Sequence, residues 1–363
     1  MHPIALISMN VAPVGGVGAD LLKAIRALCS QGREVHVIYG FLDPSTFDAL
    51  KGCEVRWHRV FMPKRPPVLA QLTLLLCSMT ILRKIRKQCP LLRVVCFERL
   101  PLGEAVVGCV PTSLWMAARR RMRLSPLSQI PYRLWRQCMD YLLQHQYQGK
   151  LIVHSLRDQK ALLDRGVESE KIVRAIIPTD TKRFYPNSLA ARRYISIIGA
   201  NMRLKGIDLA LDVWPRILQQ YPDLCLRIIT HGWKVKRAVE AAKLPSIEIA
   251  DFKPQVEDYY HSSRLLLVPS MFETWGNVVV EALSCGVPVV ASTDVPASEI
   301  ITNHQMGFTF KRDGHQDVEF LYSAISSALE LDMNTVAMAA RHKRVSDVMK
   351  SQADLVQWVC SLP

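Results

Sequence analysis

Two doubly wound α/β domains are the fold class this sequence predicts, and three observations carry it. The chain has 363 residues, more than one hydrophobic core usually organises, since single cores stop growing at about 250 to 300 residues. Short β-branched runs recur along it with helical stretches between them, the pattern of parallel sheets covered by helices. Its composition, 49% hydrophobic and 21% charged, is that of an ordinary globular chain and excludes a disordered or fibrous one.

Taken in order, the first half offers strands at Ile4–Met9, Val35–Gly40, Arg93–Glu98 and Leu151–Ser155. The second offers Ile195–Gly199, Leu224–Thr230, Ile247–Ala250, Leu265–Pro269 and Val287–Ser292. Each run needs a helical return to lie parallel to the last, and such returns are right-handed. The turn-rich stretch Pro178–Pro186 lacks periodicity and marks the join. Domains are therefore expected at 1–183 and 184–344, with 345–363 forming a helix on the apolar positions Val345, Val348, Met349, Leu355, Val356 and Val359. The apolar run Val68–Leu82 contains Gln71, Thr73, Ser78 and Thr80, which reads as a buried helix, with a membrane-surface helix as the alternative.

Charge is distributed unevenly. Residues 1–180 hold 26 Lys/Arg against 13 Asp/Glu, and the remainder 20 against 19, so the first half carries +13 of the formal +14. That asymmetry predicts a polyanionic partner for the first domain: anionic lipid headgroups, a phosphorylated glycolipid or nucleic acid. The basic runs Arg83-Lys-Ile-Arg-Lys87 and Arg119-Arg-Arg-Met-Arg123 contribute to it, the second flanked by Trp115, Tyr132 and Trp135. The ten cysteines are scattered, without a Cys-x-x-Cys pair or a metal-ligand spacing, and the start Met-His-Pro-Ile-Ala-Leu-Ile-Ser-Met lacks the basic n-region and cleavage site expected of a secretory leader. The expectation is a cytoplasmic chain with reduced thiols and no metal.

Chemistry concentrates at strand ends. Ile4–Met9 runs into Gly15-Gly16 and a helical pattern containing Asp20, where glycine backbone and free helix amides can approach an anion. The spacing is not Gly-x-Gly-x-x-Gly, and Val35–Gly40 ends without an acidic ribose ligand, which argues against a nicotinamide site. After Ile195–Gly199 come Arg203 and Lys205-Gly206 ahead of the helical run Asp208–Leu218. Two cations at the carboxyl end of a parallel strand can neutralise a diphosphate. The stretch Pro269-Ser-Met-Phe-Glu273-Thr-Trp-Gly276-Asn277-Val-Val-Val-Glu281 passes from a buried strand into a helix. Free amides at Gly276 and Asn277 can bind phosphate, and the two glutamates can accept hydrogen bonds from vicinal sugar hydroxyls.

From Lys150 to about Thr309 the sequence resembles family 4 of the retaining glycosyltransferases, whose signature is two glutamates spaced as Glu273 and Glu281 are. Supporting matches are His154-Ser-Leu-Arg-Asp-Gln-Lys-Ala-Leu-Leu, Asp180-Thr-Lys-Arg-Phe184-Tyr-Pro186, Lys205-Gly206, Pro269-Ser270 and Glu281-Ala-Leu-Ser-Cys-Gly-Val-Pro288. The resemblance implies the GT-B fold: two Rossmann-like domains facing a cleft, with a terminal helix crossing back to the first. It implies a metal-independent enzyme with no cofactor beyond its nucleotide-sugar donor, held mainly by the second domain. Glu273 would face the transferred sugar, Glu281 the ribose, Gly276 and Asn277 the diphosphate. Lys205 would neutralise the leaving group, helped by Arg203 in place of the arginine that the family often carries where Ala200 stands.

A narrower resemblance is to the bacterial enzymes that add glucose to a heptose of the lipopolysaccharide inner core. It rests on Pro13-Val-Gly15-Gly16 followed by Asp20, and on Cys96-Phe-Glu-Arg99-Leu-Pro101 ahead of Glu104. It implies Asp20 and Glu104 at the reaction centre, Arg99 near the acceptor, and catalysis by Glu273, Asp20 and Lys205. The partners then expected are a UDP-sugar, a glycolipid or lipopolysaccharide-core acceptor and the anionic cytoplasmic face of the inner membrane, not nucleic acid. A sugar-nucleotide epimerase or phosphorylase of the same architecture, or a basic nucleic-acid- or membrane-binding module, are the competing readings; an epimerase or a binding module does not need the glutamate pair, and a phosphorylase should show a pyridoxal lysine environment that this sequence does not offer.

Overall fold

The computed structural model describes residues 2–12, 16–122, 130–176, 179–187, 192–253, 255–314, 316–351 and 353–362. Two compact units emerge: Met1–Met116 with Ser125–Pro178 and Ala353–Pro363, and Ala117–Leu124 with Thr179–Gln352.

The first unit is built on a seven-stranded parallel sheet in the order β3-β2-β1-β4-β5-β6-β7. Its strands are β1 Ile4–Val11, β2 Val35–Leu42, β3 Val55–Arg59, β4 Arg93–Cys96, β5 Ala105–Val107, β6 Lys150–Val153 and β7 Ile172–Arg174. Central β1 is buried along most of its length, as a strand covered on both faces must be. The second unit carries a six-stranded parallel sheet, β10-β9-β8-β11-β12-β13. Here β8 is Tyr194–Ile198, β9 Cys225–Ile229, β10 Ile247–Ala250, β11 Ser263–Val268, β12 Val289–Ser292 and β13 Gly307–Phe310. In each sheet the order reverses beside the first strand of the unit, giving the doubly wound arrangement read from the sequence. Every expected strand is present to within two residues at either end. The additional strands β3, β5, β7 and β13 are three to five residues long, too short for a period to show. Polar β3, Val-Arg-Trp-His-Arg, lies at a sheet edge where one side meets water.

Helices α1 Gly16–Ser30, α2 Ser45–Ala49, α3 Pro67–Gln88, α4 Thr112–Arg121, α5 Ile130–Tyr141 and α6 Leu156–Leu163 return the chain between strands up to β7. The buried-helix expectation for Val68–Leu82 is half corrected. α3 buries Ala70, Leu74, Ser78, Leu82 and Ile85 against β1, β2 and α5, but leaves Leu69, Leu76 and Met79 exposed. With 22 residues it is long and apolar enough to cross a membrane by length and composition. Its packed face makes it a helix of the first unit's core, because spacings of three and four residues place one stripe inward.

Around the second sheet run α7 Ile207–Gln220, α8 Trp233–Ala242, α9 Glu257–His261, α10 Asn277–Ser284, α11 Asp317–Leu329 and α12 Thr335–Ser351. The expected terminal helix over 345–363 is divided. Val345 and Val348 belong to α12, in the second unit, and a separate α13, Leu355–Cys360, packs against α1 in the first. Asp354 caps α13 by accepting from Val356 N–H at 2.6 Å and Gln357 N–H at 3.1 Å, while Ile176 N–H donates to Ala353 O at 2.9 Å. The Arg33 guanidinium holds the far end through Leu362 O at 2.8 Å. The boundary between the units falls at Pro178, five residues before the expected one.

Candidate functional site

The carboxyl edge of the second sheet gathers three chain segments. The loop after β8 closes on Gly206, whose φ of 67° is left-handed and whose missing Cβ leaves room for Pro269 O, which a Cβ would meet at 2.1 Å. Met271 N–H donates to Leu204 O at 2.9 Å, tying that loop to the one leaving β11. Buried Arg312, beyond β13, donates to Pro269 O at 2.5 Å and lies 3.3 Å from Asp317. Its position was not legible in the sequence, because its partners are a backbone carbonyl and a carboxylate remote from any motif.

Within that frame Lys205 and Glu273 meet. Lys205 Nζ is 2.5 Å from Glu273 Oε1, which also accepts from Ser270 Oγ at 3.0 Å. The carboxylate is 15% exposed and the ammonium 27%, so both groups remain accessible. Arg203 is placed otherwise than expected: its Nη1 donates to Met122 O at 3.0 Å, a carbonyl just beyond α4. Its guanidinium is thus engaged by the backbone in this conformation.

Gly276 precedes α10 with φ 109°, and the helix opens at Asn277. The opening amides have no intrahelical carbonyl to reach and carry the positive end of the helix dipole. Glu281 stands one turn along, its Oε2 accepting from Tyr260 Oη at 2.6 Å. Tyr260 is fully buried, and burial together with the Glu281 carboxylate pushes its hydroxyl well above the ordinary tyrosine range. Locked as a donor, Tyr260 orients Glu281, a role hidden at the level of sequence because Tyr260 lies in α9, outside the glutamate motif.

In the first unit, Pro13, Val14 and Gly15 of the expected phosphate loop lie outside the described residues, and Gly16 opens α1. Asp20, in the second turn of α1, is buried, 3.6 Å from Lys23 Nζ. Glu104 is a correction. It precedes β5 at the amino end of the sheet, where Oε2 accepts from Val94 N–H at 2.5 Å and Oε1 lies 4.0 Å from both Arg86 and Arg93. Reaction centres of open α/β sheets sit at the opposite, carboxyl end. The carboxylate found there is Glu98, just past β4, accepting from Met9 N–H at 2.8 Å. Burial raises its pKa to about 7. Arg99, next to it, pairs with Asp140 of α5.

Among the described residues, Glu34, His36 and Cys89 form the group whose ligand atoms lie within 4.8 Å of one another. His36 and Glu34 stand at the amino end of β2, in the first unit.

Residues 192–330 match the family model described as glycosyl transferases group 1. An uncharacterized glycosyltransferase of Haemophilus influenzae is 31% identical over 126 residues, 33% of this chain and 36% of the relative. The phosphatidylinositol N-acetylglucosaminyltransferase gpi3 subunit of Schizosaccharomyces pombe is 28% identical over 225 residues, 58% of this chain and 48% of that one. The chain thus spans half or less of these relatives. Among solved structures, WaaG, a glycosyltransferase involved in lipopolysaccharide biosynthesis, superposes with TM-score 0.76 at 16% identity, covering 96% of this chain and 95% of that one. HepE of Anabaena, in complex with UDP and glucose, gives TM-score 0.68 at 16% identity over 99% and 97%. The fold is that of these GT-B proteins, and the family resemblance read from the glutamate pair is matched independently over the second unit.

Proposed function

We propose that the chain is a metal-independent, retaining family 4 glycosyltransferase that moves a hexose from a UDP-sugar, glucose being the first candidate, to a glycolipid or lipopolysaccharide-core acceptor. The observation that carries the reading is the convergence of Lys205, Glu273 and the opening amides of α10 at the carboxyl edge of one sheet, with Glu281 a turn further on. In this reading the diphosphate lies against the amides of Gly276 and Asn277, where free N–H groups and the helix dipole favour negative charge. Lys205 exchanges its contact with Glu273 for one with a phosphate oxygen as charge builds on the leaving group, so its stabilisation is greatest in the transition state. Glu273, released, accepts from hydroxyls of the transferred hexose, and Glu281, held by Tyr260, from the ribose. Departure of the diphosphate and arrival of the acceptor hydroxyl take place on one face of the sugar, and no protein nucleophile is assigned. Arg203 reaches the diphosphate only by leaving Met122 O. Asp20 and, in place of Glu104, Glu98 stand on the acceptor side, with Arg99 beside them.

The acceptor class is supported by the first unit's surface. Exposed Leu69, Leu76 and Met79 on α3 are followed by exposed Arg83, Lys84, Arg86 and Lys87. Apolar side chains entering a headgroup layer, with each nearby cation contributing about 1 kcal/mol toward an anionic surface, would hold the protein peripherally on the cytoplasmic face of an inner membrane. The test is incubation of purified protein with a panel of nucleotide sugars, with and without truncated lipopolysaccharide, followed by NMR of the product's anomeric linkage. Acceptor-dependent UDP release with an α-linkage from an α-donor is expected; release from no donor, by folded protein, would overturn the reading.

A further inference from the structure

A second cluster, in the first unit, is left out of the donor chemistry. Arg99 follows β4, Arg136 lies on α5, and Arg165 follows α6. Asp140 is the one carboxylate in their described contacts; it pairs with Arg99 and also accepts from Thr112 N–H at 2.9 Å, so its charge is shared with the start of α4. Arg165 spends its donors on neutral groups, Ala161 O at 3.1 Å and Ser113 Oγ. Arg136 stacks on aromatic faces, its guanidinium carbon 5.0 Å from the Trp115 ring centre and 5.9 Å from that of Tyr132. Trp115 and Tyr132 pack edge to face at 5.7 Å and so fix the guanidinium plane from one side.

Two features make this arrangement costly without an anion. Arg99 Nε and Nη1 and Arg136 Nε are buried donors without an acceptor. Each such orphan costs about 1–3 kcal/mol, more when charged. The cations also oppose one another: burial first, then Arg136 and Arg165, bring the Arg99 pKa down to about 9. Arg341, in the second unit, is by contrast met by three carbonyls, Gln305 O, Gly286 O and Asp332 O. The Arg99 cluster instead holds unspent, planar donors at the carboxyl edge of the acceptor-side sheet, a geometry that matches the oxygens of a phosphate group.

We propose that Arg99, Arg136 and Arg165 form a binding site for a phosphate monoester, carried by the acceptor close to the hydroxyl that receives the sugar. The site stands on its own geometry; its assignment to the acceptor rests on the transferase reading. Recognition of one phosphate would select phosphorylated over unphosphorylated acceptors, since a neutral group would leave the buried guanidinium donors unpaired.

The test is calorimetric titration of the full-length protein with inorganic phosphate and methyl phosphate, and flotation with phosphatidic acid vesicles. Arg136→Gln and Arg165→Gln are compared with wild type, with circular dichroism verifying the fold. Saturable binding of methyl phosphate, weakened roughly tenfold to a hundredfold by either substitution, supports the site, and competition by the vesicles would add a lipid headgroup as a source of the same group. Should Arg136→Gln fail to fold, Arg165→Gln decides alone. Wild-type phosphate affinity in the folded variants, or vesicle binding without any binding of methyl phosphate, overturns the proposal. Phosphate binding does not require turnover, so a protein that binds methyl phosphate but transfers no sugar would remove the transferase reading and leave the site standing.

Discussion

On the proposed reading, the two units meet an anionic ligand in opposite ways. The second, with 24 Lys/Arg against 19 Asp/Glu, brings Lys205 from the loop after β8 to the stretch from β11 to α10, where a lysine, a carboxylate and a helix start would, on that reading, meet a diphosphate. The first, with 22 Lys/Arg against 13 Asp/Glu, carries the larger share of the net charge and disperses it: Arg83 to Lys87 on an exposed helix end, Arg99, Arg136 and Arg165 in a half-buried cluster. A nucleotide presents the same atoms to every relative that binds it, so a local motif serves. An acceptor of particular shape has to be met by side chains brought from distant parts of the chain.

The comparison is broken most severely at Glu273. Its replacement by Ala should lower kcat about 10²–10³-fold, the scale seen when one group acting on transition-state charge is removed, with little change in acceptor affinity; steady-state kinetics decide it. A loss confined to acceptor KM would move Glu273 to the wrong side of the division. Gly206→Ala comes next. The left-handed φ and the 2.1 Å approach to Pro269 O make a Cβ intolerable, and about 3 kcal/mol of strain and overpacking should lower the thermal unfolding midpoint by several degrees. An unchanged midpoint would mean that the β8 and β11 loops are not held together as described.

Glu98 sharpens the acceptor side through pH. Burial holds its folded pKa at about 7, above the 4.5 of an ordinary glutamate, so the folded state binds its proton more tightly than the unfolded state does. The stability it contributes is fully present below about pH 4.5 and declines as pH rises toward 7. Glu98→Gln should flatten that segment of the stability profile measured by urea unfolding; an identical slope in both proteins would place the carboxyl in water. The smallest effect is expected for Tyr260→Phe. Loss of one hydrogen bond to a carboxylate, about 1.5–3 kcal/mol when buried and less where Glu281 finds water, should raise the donor KM several-fold and leave kcat nearly unchanged.

What the sequence revealed follows the same division. All parallel strands long enough to show an apolar run were legible, and so was the neighbourhood of Lys205, Glu273, Gly276 and Glu281, because each lies near a strand end or helix start that the pattern marks. Glu104 was misplaced and Glu98 overlooked for one reason. Both belong to a stretch between two short strands, and which of them stands at the carboxyl end depends on β5, only three residues long. Tyr260, Arg312 and the Arg99 cluster were invisible because their partners are far apart in sequence. The terminal helix was drawn too long because α12 and α13 share apolar positions, and only the Asp354 cap, with its bridge to Ile176, separates them.

The division of labour is tested most directly by titrating UDP into wild-type protein and into Lys205→Ala, Glu281→Ala and Asp20→Ala, each verified as folded. Affinity should fall about tenfold or more in the Lys205 and Glu281 variants and stay at the wild-type value in Asp20→Ala. Wild-type affinity in both Lys205→Ala and Glu281→Ala would contradict the placement of the donor on the second unit.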